Sequence, residues 1–310
     1  MIQMKINVWC VILNPISGRG KSVKHLPEIE SLLRKYNIPY KIFISKYPGH
    51  SIHITQKALL SGIKKFIAIG GDGSLNEIVN GIFSQKKIPS KQCTLAAIPV
   101  GTGNDWARNN RLGKSYEEAI QAIAENSRYL HDIGSATFQE NNKKTRRYFI
   151  NFAGIGFDSA VVANMTSRKF GSLSYLAAIL KTFLFYKGTP MQITVNGKSF
   201  QKDAFVLMTA LGKYCGGGMF LAPRSIPNDG VFDVTLVKSL SRIHLLFSIP
   251  QIYNGSILNH SRVERFQCRS IQVESSSNIR IEADGELLGS PPVLYEIMKQ
   301  SLKVIGRYSP

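Results

Sequence analysis

Three glycine-rich segments carry side chains that could bind phosphate or a cation, and each follows an apolar run. They are residues 14–22 (NPISGRGKS), 70–77 (GGDGSLNE) and 101–105 (GTGND). Glycine has no Cβ, so backbone N–H groups can approach a phosphate closely, and the N-terminus of a following helix adds positive potential. The segments together predict a site for a phosphate-bearing ligand, although each alone is also typical of a turn with a helix cap.

These segments match neither of the two common phosphate-binding motifs. The GKS that ends the first segment would complete a P-loop, but Pro15 stands where that motif needs its first glycine. Trp106 occupies the position of the third glycine in the dinucleotide fingerprint GxGxxG. We therefore expect a phosphate-binding cradle of a different type.

Two acidic residues near the C-terminus, Asp284 and Glu286, follow an alternating strand pattern in IRIEADGELLG. A DG dipeptide is first of all typical of a hairpin turn. A carboxylate at the tip of such a turn could also accept the proton of a hydroxyl that attacks a phosphate. Phosphoryl transfer otherwise needs in-line positioning and charge neutralisation by Mg²⁺. Asp72 is a candidate either to bind that Mg²⁺ or to accept hydrogen bonds from nucleotide hydroxyls.

Apolar periodicity predicts an α/β domain over residues 1–130. The expected strands are residues 8–13, 40–44, 66–69 and 94–99, and the expected helices are 23–36, 51–60, 75–83 and 116–126. Because strands run into the glycine-rich segments, these segments should collect at one edge of a parallel sheet.

Beyond residue 131 the pattern changes to strands separated by turns, which predicts a mostly antiparallel β domain over residues 131–294. The expected strands are residues 148–153, 193–195, 204–210, 231–237, 270–273 and 278–283, with helices around 172–185 and 243–253. Asn196-Gly197 favours a type I′ hairpin. The boundary rests on the change of period alone.

The composition of the chain limits the kinds of partner and site that the protein can have. The chain has 39 Lys and Arg against 20 Asp and Glu, a formal charge of +19, which favours polyanionic partners without choosing among them. The four cysteines are far apart and predict reduced thiols. His50 and His53 lack a third ligand, which argues against a zinc site. The sequence has no GxSxG motif, which argues against an α/β hydrolase. The longest apolar run is too short to span a bilayer, so we expect a cytoplasmic protein, at most peripheral to a membrane.

The ordered set NPxSG, GGDGS, GTGNDWAR, NFAGIGFD, GGGMFLAPRSIPNDG and DGE resembles the diacylglycerol kinase catalytic-domain family. This family includes bacterial lipid kinases and sphingosine and ceramide kinases. GGDG alone also resembles NAD kinases and phosphofructokinases. The resemblance implies a three-layer α/β nucleotide-binding domain and a C-terminal antiparallel β-sandwich, with residues 295–310 returning to the N-terminal domain.

The resemblance also implies roles for individual residues. Asp284 and Glu286 match the catalytic DGE, and Asp229 with the backbone carbonyls of Ile226 and Val231 matches a structural Mg²⁺ loop. Serine stands at positions 45 and 74, where such kinases more often have threonine. The implied nucleotide-binding residues are Asn14, Ser17, Gly18, Ser45, Gly70, Gly71, Asp72, Gly73, Ser74, Asn76, Glu77, Gly101, Thr102, Asn104 and Asp105.

The expected activity is transfer of the γ-phosphate of ATP, with Mg²⁺, to a lipid hydroxyl at an anionic membrane surface, with diacylglycerol as the first candidate. No nucleic-acid partner is expected. The alternatives are a soluble-substrate kinase of the NAD kinase/phosphofructokinase superfamily and a non-catalytic basic module that binds membrane or nucleic acid. The sequence leaves open the lipid, the base among the two carboxylates, occupancy of the metal loop and the oligomeric state, a homodimer included.

Overall fold

A computed structural model describes residues 7–101, 103–141, 143–164, 182, 186, 188–239 and 250–308. The chain divides into a first unit, Met1–His131 with Gln300–Pro310, and a second unit, Asp132–Lys299. The sequence places the corresponding limits at residues 130 and 295. Thr102 and most of the helices predicted around 172–185 and 243–253 lie outside the described residues.

The first unit is built on a parallel sheet. Its strands are β1 (Trp9–Leu13), β2 (Tyr40–Ile44), β3 (Lys65–Gly70) and β4 (Thr94–Pro99), in the order β2-β1-β3-β4. The end of β15 (Ser290–Ile305) pairs in parallel with β4 through Lys303 and Val304. The returning C-terminal segment is therefore a strand of this sheet.

Six helices connect or flank these strands. They are α1 (Lys21–Lys24), α2 (Leu26–Lys35), α3 (His50–Leu60), α4 (Asp72–Ser84), α5 (Asp105–Asn109) and α6 (Tyr116–Ala124), with a 3₁₀ turn at Ser90–Gln92. The single helix predicted over residues 23–36 is divided at His25, since Pro27 lies in the first turn of α2 and has no N–H with which to continue the preceding helix. The helix predicted at 75–83 begins earlier, at Asp72, within the glycine-rich segment.

The second unit is an antiparallel β structure that also contains α7 (Phe157–Asn164), a helical segment over residues 250–254 and a 3₁₀ turn at Ser256–Asn259. The strands, besides β15, are β5 (Arg128–Glu140), β6 (Lys143–Phe149), β7 (Phe152–Gly156), β8 (Thr189–Val195), β9 (Lys198–Ala210), β10 (Phe232–Lys238), β11 (Val263–Cys268), β12 (Ser270–Glu274), β13 (Ile281–Ala283) and β14 (Glu286–Leu287). They follow the order β14-β13-β7-β9-β8-β12-β15, with β10 on β9, β11 on β10, and β5 carrying β6 and pairing with β15.

Several predicted strands differ in their bounds from those in the structure; those predicted over 193–195 and 204–210 begin earlier, as β8 at Thr189 and β9 at Lys198. The strand predicted over 148–153 is wrong, because β6 ends at Phe149 and β7 begins at Phe152. The strand predicted over 278–283 is shortened to β13. The predicted hairpin between β8 and β9 is confirmed, since Asn196 and Gly197 both have positive φ, 52° and 75°.

The cores explain why these elements form. In the first unit β1 is buried along its whole length, and β3 and β4 along nearly all of theirs. In the second unit, inward side chains of several strands form one cluster that includes Phe149, Phe232 and Tyr295. The four cysteines are buried thiols that form no disulfide, as the sequence predicts. Within the described part of the chain, no helix has the length and hydrophobicity needed to cross a bilayer.

Gly134 faces the Phe149 ring across β5 and β6, and a Cβ on Gly134 would lie 2.2 Å from that ring. Because the ring is fully buried, Gly134→Ala should lower the free energy of unfolding by about 1–3 kcal/mol. Phe149→Leu removes the crowded ring atoms, so Gly134→Ala should cost much less in that background. Urea unfolding of the four proteins measures the coupling. An equal cost in both backgrounds would contradict the assigned contact.

Candidate functional site

The first and second glycine-rich loops of the first unit touch. Nδ2 of Asn14, after β1, donates a hydrogen bond of 3.4 Å to Oγ of Ser74 in α4. A Cβ on Gly70 would lie 2.2 Å from the same Oγ and 3.0 Å from Oγ of Ser17. Only glycine at position 70 leaves room for these hydroxyl groups, so Asn14, Ser17 and Ser74 meet around it.

The third loop, after β4, touches both of the others. Gly18 has φ of 60°, and a Cβ there would lie 2.2 Å from the carbonyl oxygen of Val100. A Cβ on Gly101 would lie 2.8 Å from Cα of Gly71. The backbones thus approach more closely than any side chain allows. This convergence at the carboxyl ends of β1, β3 and β4 is the geometry that the sequence predicts.

Asp72 joins the second loop to the third. Its carboxylate accepts hydrogen bonds from the backbone N–H groups of Asp105 (3.2 Å) and Trp106 (3.0 Å), at the start of α5. Burial raises the pKa of Asp72, while these two donors act in the opposite direction. Asn104, which precedes α5 with φ of 53°, donates from Nδ2 to the carbonyl oxygen of Gly101 at 2.7 Å. The side chain of Asp72 is therefore held in one orientation beside the glycine loops.

Glu77 connects the second loop to the loop after β2. Its two carboxylate oxygens accept from the N–H groups of Gly49 (2.7 Å) and Ser51 (3.0 Å), at the start of α3. Ser45, in the same loop, is buried, and its N–H donates to the carbonyl oxygen of Leu13 at 2.9 Å. Glu77 thus fixes the position of the segment that contains Ser45.

The remaining residues that the sequence predicts to bind nucleotide differ in their surroundings. Asn76 is buried, and its Oδ1 accepts a hydrogen bond from Nδ2 of Asn80 one turn later in α4. Gly73 lies in the first turn of α4, and Asp105 is 3.6 Å from Nη1 of Arg108. The structure brings together Asn14, Ser17, Gly18, Gly70, Gly71, Asp72, Ser74, Gly101, Asn104 and Asp105. Their contact with a nucleotide stays a prediction.

Asp284 lies at the turn between β13 and β14 of the second unit, with φ of 48°. Its carboxylate accepts hydrogen bonds from three consecutive backbone N–H groups, those of Ile150 (2.9 Å), Asn151 (2.9 Å) and Phe152 (3.1 Å). Its own N–H donates to the carbonyl oxygen of Phe152 at 2.8 Å. These bonds explain the break between β6 and β7, because the carboxylate takes N–H groups that a strand would give to its neighbour.

Glu286 stands two residues beyond Asp284, in β14, opposite Ala283 of β13, and is half-buried. The two acidic residues of the DGE sequence therefore share one tight turn. Their catalytic roles stay predictions.

Two further carboxyl groups lie beside this turn, one buried and one half-buried with its Oδ2 shielded from solvent, and the sequence did not indicate them. They belong to Glu282 in β13 and Asp158 at the start of α7. Burial raises the pKa of Asp158 to about 7 and that of Glu282 well above its ordinary value. The one available signal is that Asp158 ends the apolar segment NFAGIGFD and Glu282 interrupts an apolar strand.

The predicted metal loop lies in the second unit. Oδ1 of Asp229 accepts from the N–H of Val231 at 3.1 Å, and the buried carboxylate of Asp132 accepts from the N–H of Gly230 at 2.7 Å. Burial and the charge of Asp233 raise the pKa of Asp229, an effect that a bound cation would oppose. Hard oxygen donors of this kind suit Mg²⁺. In the described ranges, no group of three or more His, Cys, Asp or Glu side chains could hold a metal.

Comparison with known protein families agrees with this architecture. Residues 8–136 match the diacylglycerol kinase catalytic domain, and residues 151–306 match the YegS C-terminal NAD kinase beta sandwich-like domain. The two matches together cover most of the chain and include all three glycine-rich loops and the Asp284 turn.

Curated relatives match along nearly their whole length. The diacylglycerol kinase of Bacillus subtilis (strain 168) is 29% identical over 288 residues, which is 91% of this chain and 90% of that protein. The diacylglycerol kinase of Staphylococcus saprophyticus is 28% identical over 304 residues, covering 95% and 93% of the two chains.

Solved structures show the same fold. One from Bacillus anthracis str. Sterne has a TM-score of 0.79 and 26% identity, and covers 98% of this chain and 97% of its own. Yeast NADH kinase complexed with NADH has a TM-score of 0.51 at 12% identity, covering 99% of this chain and 85% of that one, so it shows a likeness of fold only. With an α/β first unit, a β-rich second unit and both family models matched in order, this chain belongs to the diacylglycerol kinase catalytic-domain family, a family of lipid kinases.

Proposed function

We propose that this protein is an ATP- and Mg²⁺-dependent lipid kinase that transfers the γ-phosphate to a lipid hydroxyl, with diacylglycerol as substrate and phosphatidic acid as product. The observation that carries the proposal is the close convergence of the three glycine-rich loops in the first unit. The names of the curated relatives support the choice of lipid.

The phosphates of ATP would lie against the converged loops. Glycine at positions 18, 70 and 101 lets the three loops approach closely, and α4 begins at the second loop with its positive end. Asn14, Ser17 and Ser74 add polar groups at the same place. Asp72 would face the triphosphate through Mg²⁺, since a carboxylate beside phosphate needs a cation between them.

Asp284 is the proposed general base. Three backbone donors hold its carboxylate in one orientation, which is the preorganisation that proton transfer needs. The lipid hydroxyl oxygen would form a bond to the γ-phosphorus while the bond from that phosphorus to the bridging oxygen breaks, and ADP leaves. The hydroxyl proton would pass to Asp284, with Glu286 in the same turn. Mg²⁺, when bound, would neutralise charge on the transferring phosphate.

A peripheral contact with an anionic membrane fits the surface of the first unit. Several large apolar side chains are exposed there, among them Ile16, Phe43 and Tyr47. The chain carries a formal charge of +19, and each Lys or Arg near an anionic bilayer contributes about 1 kcal/mol. Exposed apolar groups on a basic protein favour reversible binding to a lipid surface. A kinase for soluble substrates would need no such surface, so a requirement for vesicles distinguishes the two.

Asp284→Asn should lower kcat for diacylglycerol in anionic vesicles by about 100-fold or more, because an amide cannot take the hydroxyl proton. Glu286→Gln should lower it less. The assay is phosphate transfer from ATP, with the lipid product identified by mass spectrometry. Urea unfolding must accompany it, since the amide also loses a backbone hydrogen bond, at about 1–3 kcal/mol. Full activity of a folded Asp284→Asn protein would exclude this residue as the base.

Gly70→Ala should weaken ATP binding at least tenfold, because the added Cβ would overlap Oγ of Ser74 and push the first two loops apart. Isothermal titration with a non-hydrolysable ATP analogue and Mg²⁺ measures the loss. Changing Ser74→Gly in the same protein removes the overlapping atoms and should restore part of the affinity. Undiminished affinity in a folded Gly70→Ala protein would place the nucleotide elsewhere.

Mg²⁺ should raise the thermal midpoint of the protein without nucleotide, because an ion that binds only the folded state stabilises it by about 2.7 kcal/mol at 100 times its Kd. Asp229→Asn should abolish most of that rise. The control is Asp203→Asn, which removes one negative charge from an exposed side chain of the same unit. This variant should respond to Mg²⁺ like wild type. Equal responses in all three proteins would contradict the assignment of the ion to the Asp229 loop.

A further inference from the structure

The turn that carries Asp284 is held by a second carboxyl group from the same strand. Oε2 of Glu282 accepts a hydrogen bond of 2.9 Å from the N–H of Gly285, the residue after Asp284. Glu282 is almost fully buried, and its backbone pairs with Gly154 of β7. One oxygen of Glu282 therefore fixes the turn, and the other faces the protein interior.

Asp158 enters the same space from α7. Its Oδ1 accepts from the N–H of Ser159 at 2.7 Å, while Oδ2 is buried and has no hydrogen-bond partner within the described part of the chain that meets the usual geometry. A Cβ on Gly154 would lie 1.7 Å from that Oδ2. Since Gly154 is also the strand partner of Glu282, its missing side chain makes the space in which the two carboxyl groups face each other.

Among the residues that the structure describes, no compensating cation interacts with this carboxyl pair. The titratable side chains that do interact with it are Asp284, Tyr186 and Tyr295. Tyr295 is fully buried, and its hydroxyl donates to the carbonyl oxygen of Gly154 at 3.3 Å. Ionising both carboxyl groups in this buried site would cost much free energy, because two like charges without a neighbouring cation repel strongly.

One shared proton resolves the repulsion. A carboxylic acid on Glu282 can donate its O–H to Oδ2 of Asp158, which otherwise receives no donor, while Oε2 continues to accept from Gly285. Burial raises the pKa of both groups, to about 7 for Asp158, and the charge of Asp158 raises the pKa of Glu282 further. Near neutral pH the pair therefore keeps at least one proton.

We propose that Glu282 and Asp158 share a proton and that this pair positions the Asp284 turn, by linking α7 to the N–H of Gly285. Glu282 is a positioning residue, since it acts through the turn. The role of this turn in lipid phosphorylation rests on the proposed function. The shared proton and its effect on the position of the turn do not depend on that function.

The sign of the pH dependence follows from the raised pKa values. Each group binds a proton more tightly in the folded state than in the unfolded chain, where a glutamate has a pKa of about 4.3. The stability that the pair contributes is therefore complete below that value and falls as pH rises, through about 7 for Asp158 and higher for Glu282.

Glu282→Gln tests the shared proton, because an amide reproduces the protonated acid: its N–H₂ can donate to Asp158 and its oxygen can accept from Gly285. The matched control is Glu274→Gln, which removes an exposed carboxylate from the same unit. Urea unfolding between pH 5.5 and 9 should show the unfolding constant of wild type and of the control rising with pH, by up to about tenfold per pH unit for each proton released. The Glu282→Gln protein should show a smaller rise.

Hydrogen exchange of residues 281–287 tests the link to the turn. After correction for intrinsic rates, exchange should quicken at pH 9 in wild type and in the control, and less in Glu282→Gln. Glu282→Ala, which cannot bridge Asp158 and Gly285, should exchange quickly at every pH. In the lipid kinase assay kcat should fall more in the Glu282→Ala than in the Glu282→Gln variant, with the KM for ATP little changed.

The outcomes separate the two proposals. If the unfolding profiles of wild type, Glu282→Gln and Glu274→Gln coincide, the shared proton is refuted, whether or not the protein phosphorylates lipid. If the profiles separate but residues 281–287 exchange alike in every protein and at every pH, the positioning role is refuted. If both measurements follow the expectation and no lipid is phosphorylated, the shared proton and its positioning role are supported and the proposed function is refuted.

Discussion

The close approach of three backbone segments is the constraint on which the first unit depends. At Gly18, Gly70 and Gly101 a single added carbon would overlap a neighbouring loop. A parallel sheet brings such segments together because its strands all end at one edge. The sheet thus supplies the convergence, and the missing side chains let the three loops pack against one another.

In the second unit one carboxylate organises two distant segments of chain. Asp284 binds the N–H groups at residues 150–152 and so ends one strand, starts the next and closes its own turn. Glu282 and Asp158 lie directly beneath it. Acidic groups are usually expensive inside a protein, and here each is satisfied by backbone donors or by another acid. Polar contacts therefore hold the turn, next to the apolar core that Ile281 and Ala283 enter.

Much of the fold could be predicted from sequence where local patterns decide it. β2 and β4 have the predicted bounds, and α6 begins at a capping box formed by Ser115 and Glu118. The glycine-rich loops were found because their chemistry is local. The break between β6 and β7, and the pairing of Asp158 with Glu282, depend on contacts between residues more than 100 positions apart, which no local pattern encodes.

The last strand has a consequence for how the protein is made. Ser90 donates to the carbonyl oxygen of Ser301, 211 residues later, and the end of β15 lies beside β4 in the sheet. During synthesis β4 therefore stays at an open sheet edge until the residues around Ser301, 211 positions after Ser90, have left the ribosome. Exposed strand edges attract other chains, so the nascent first unit should depend on rapid elongation or on chaperones to stay unaggregated.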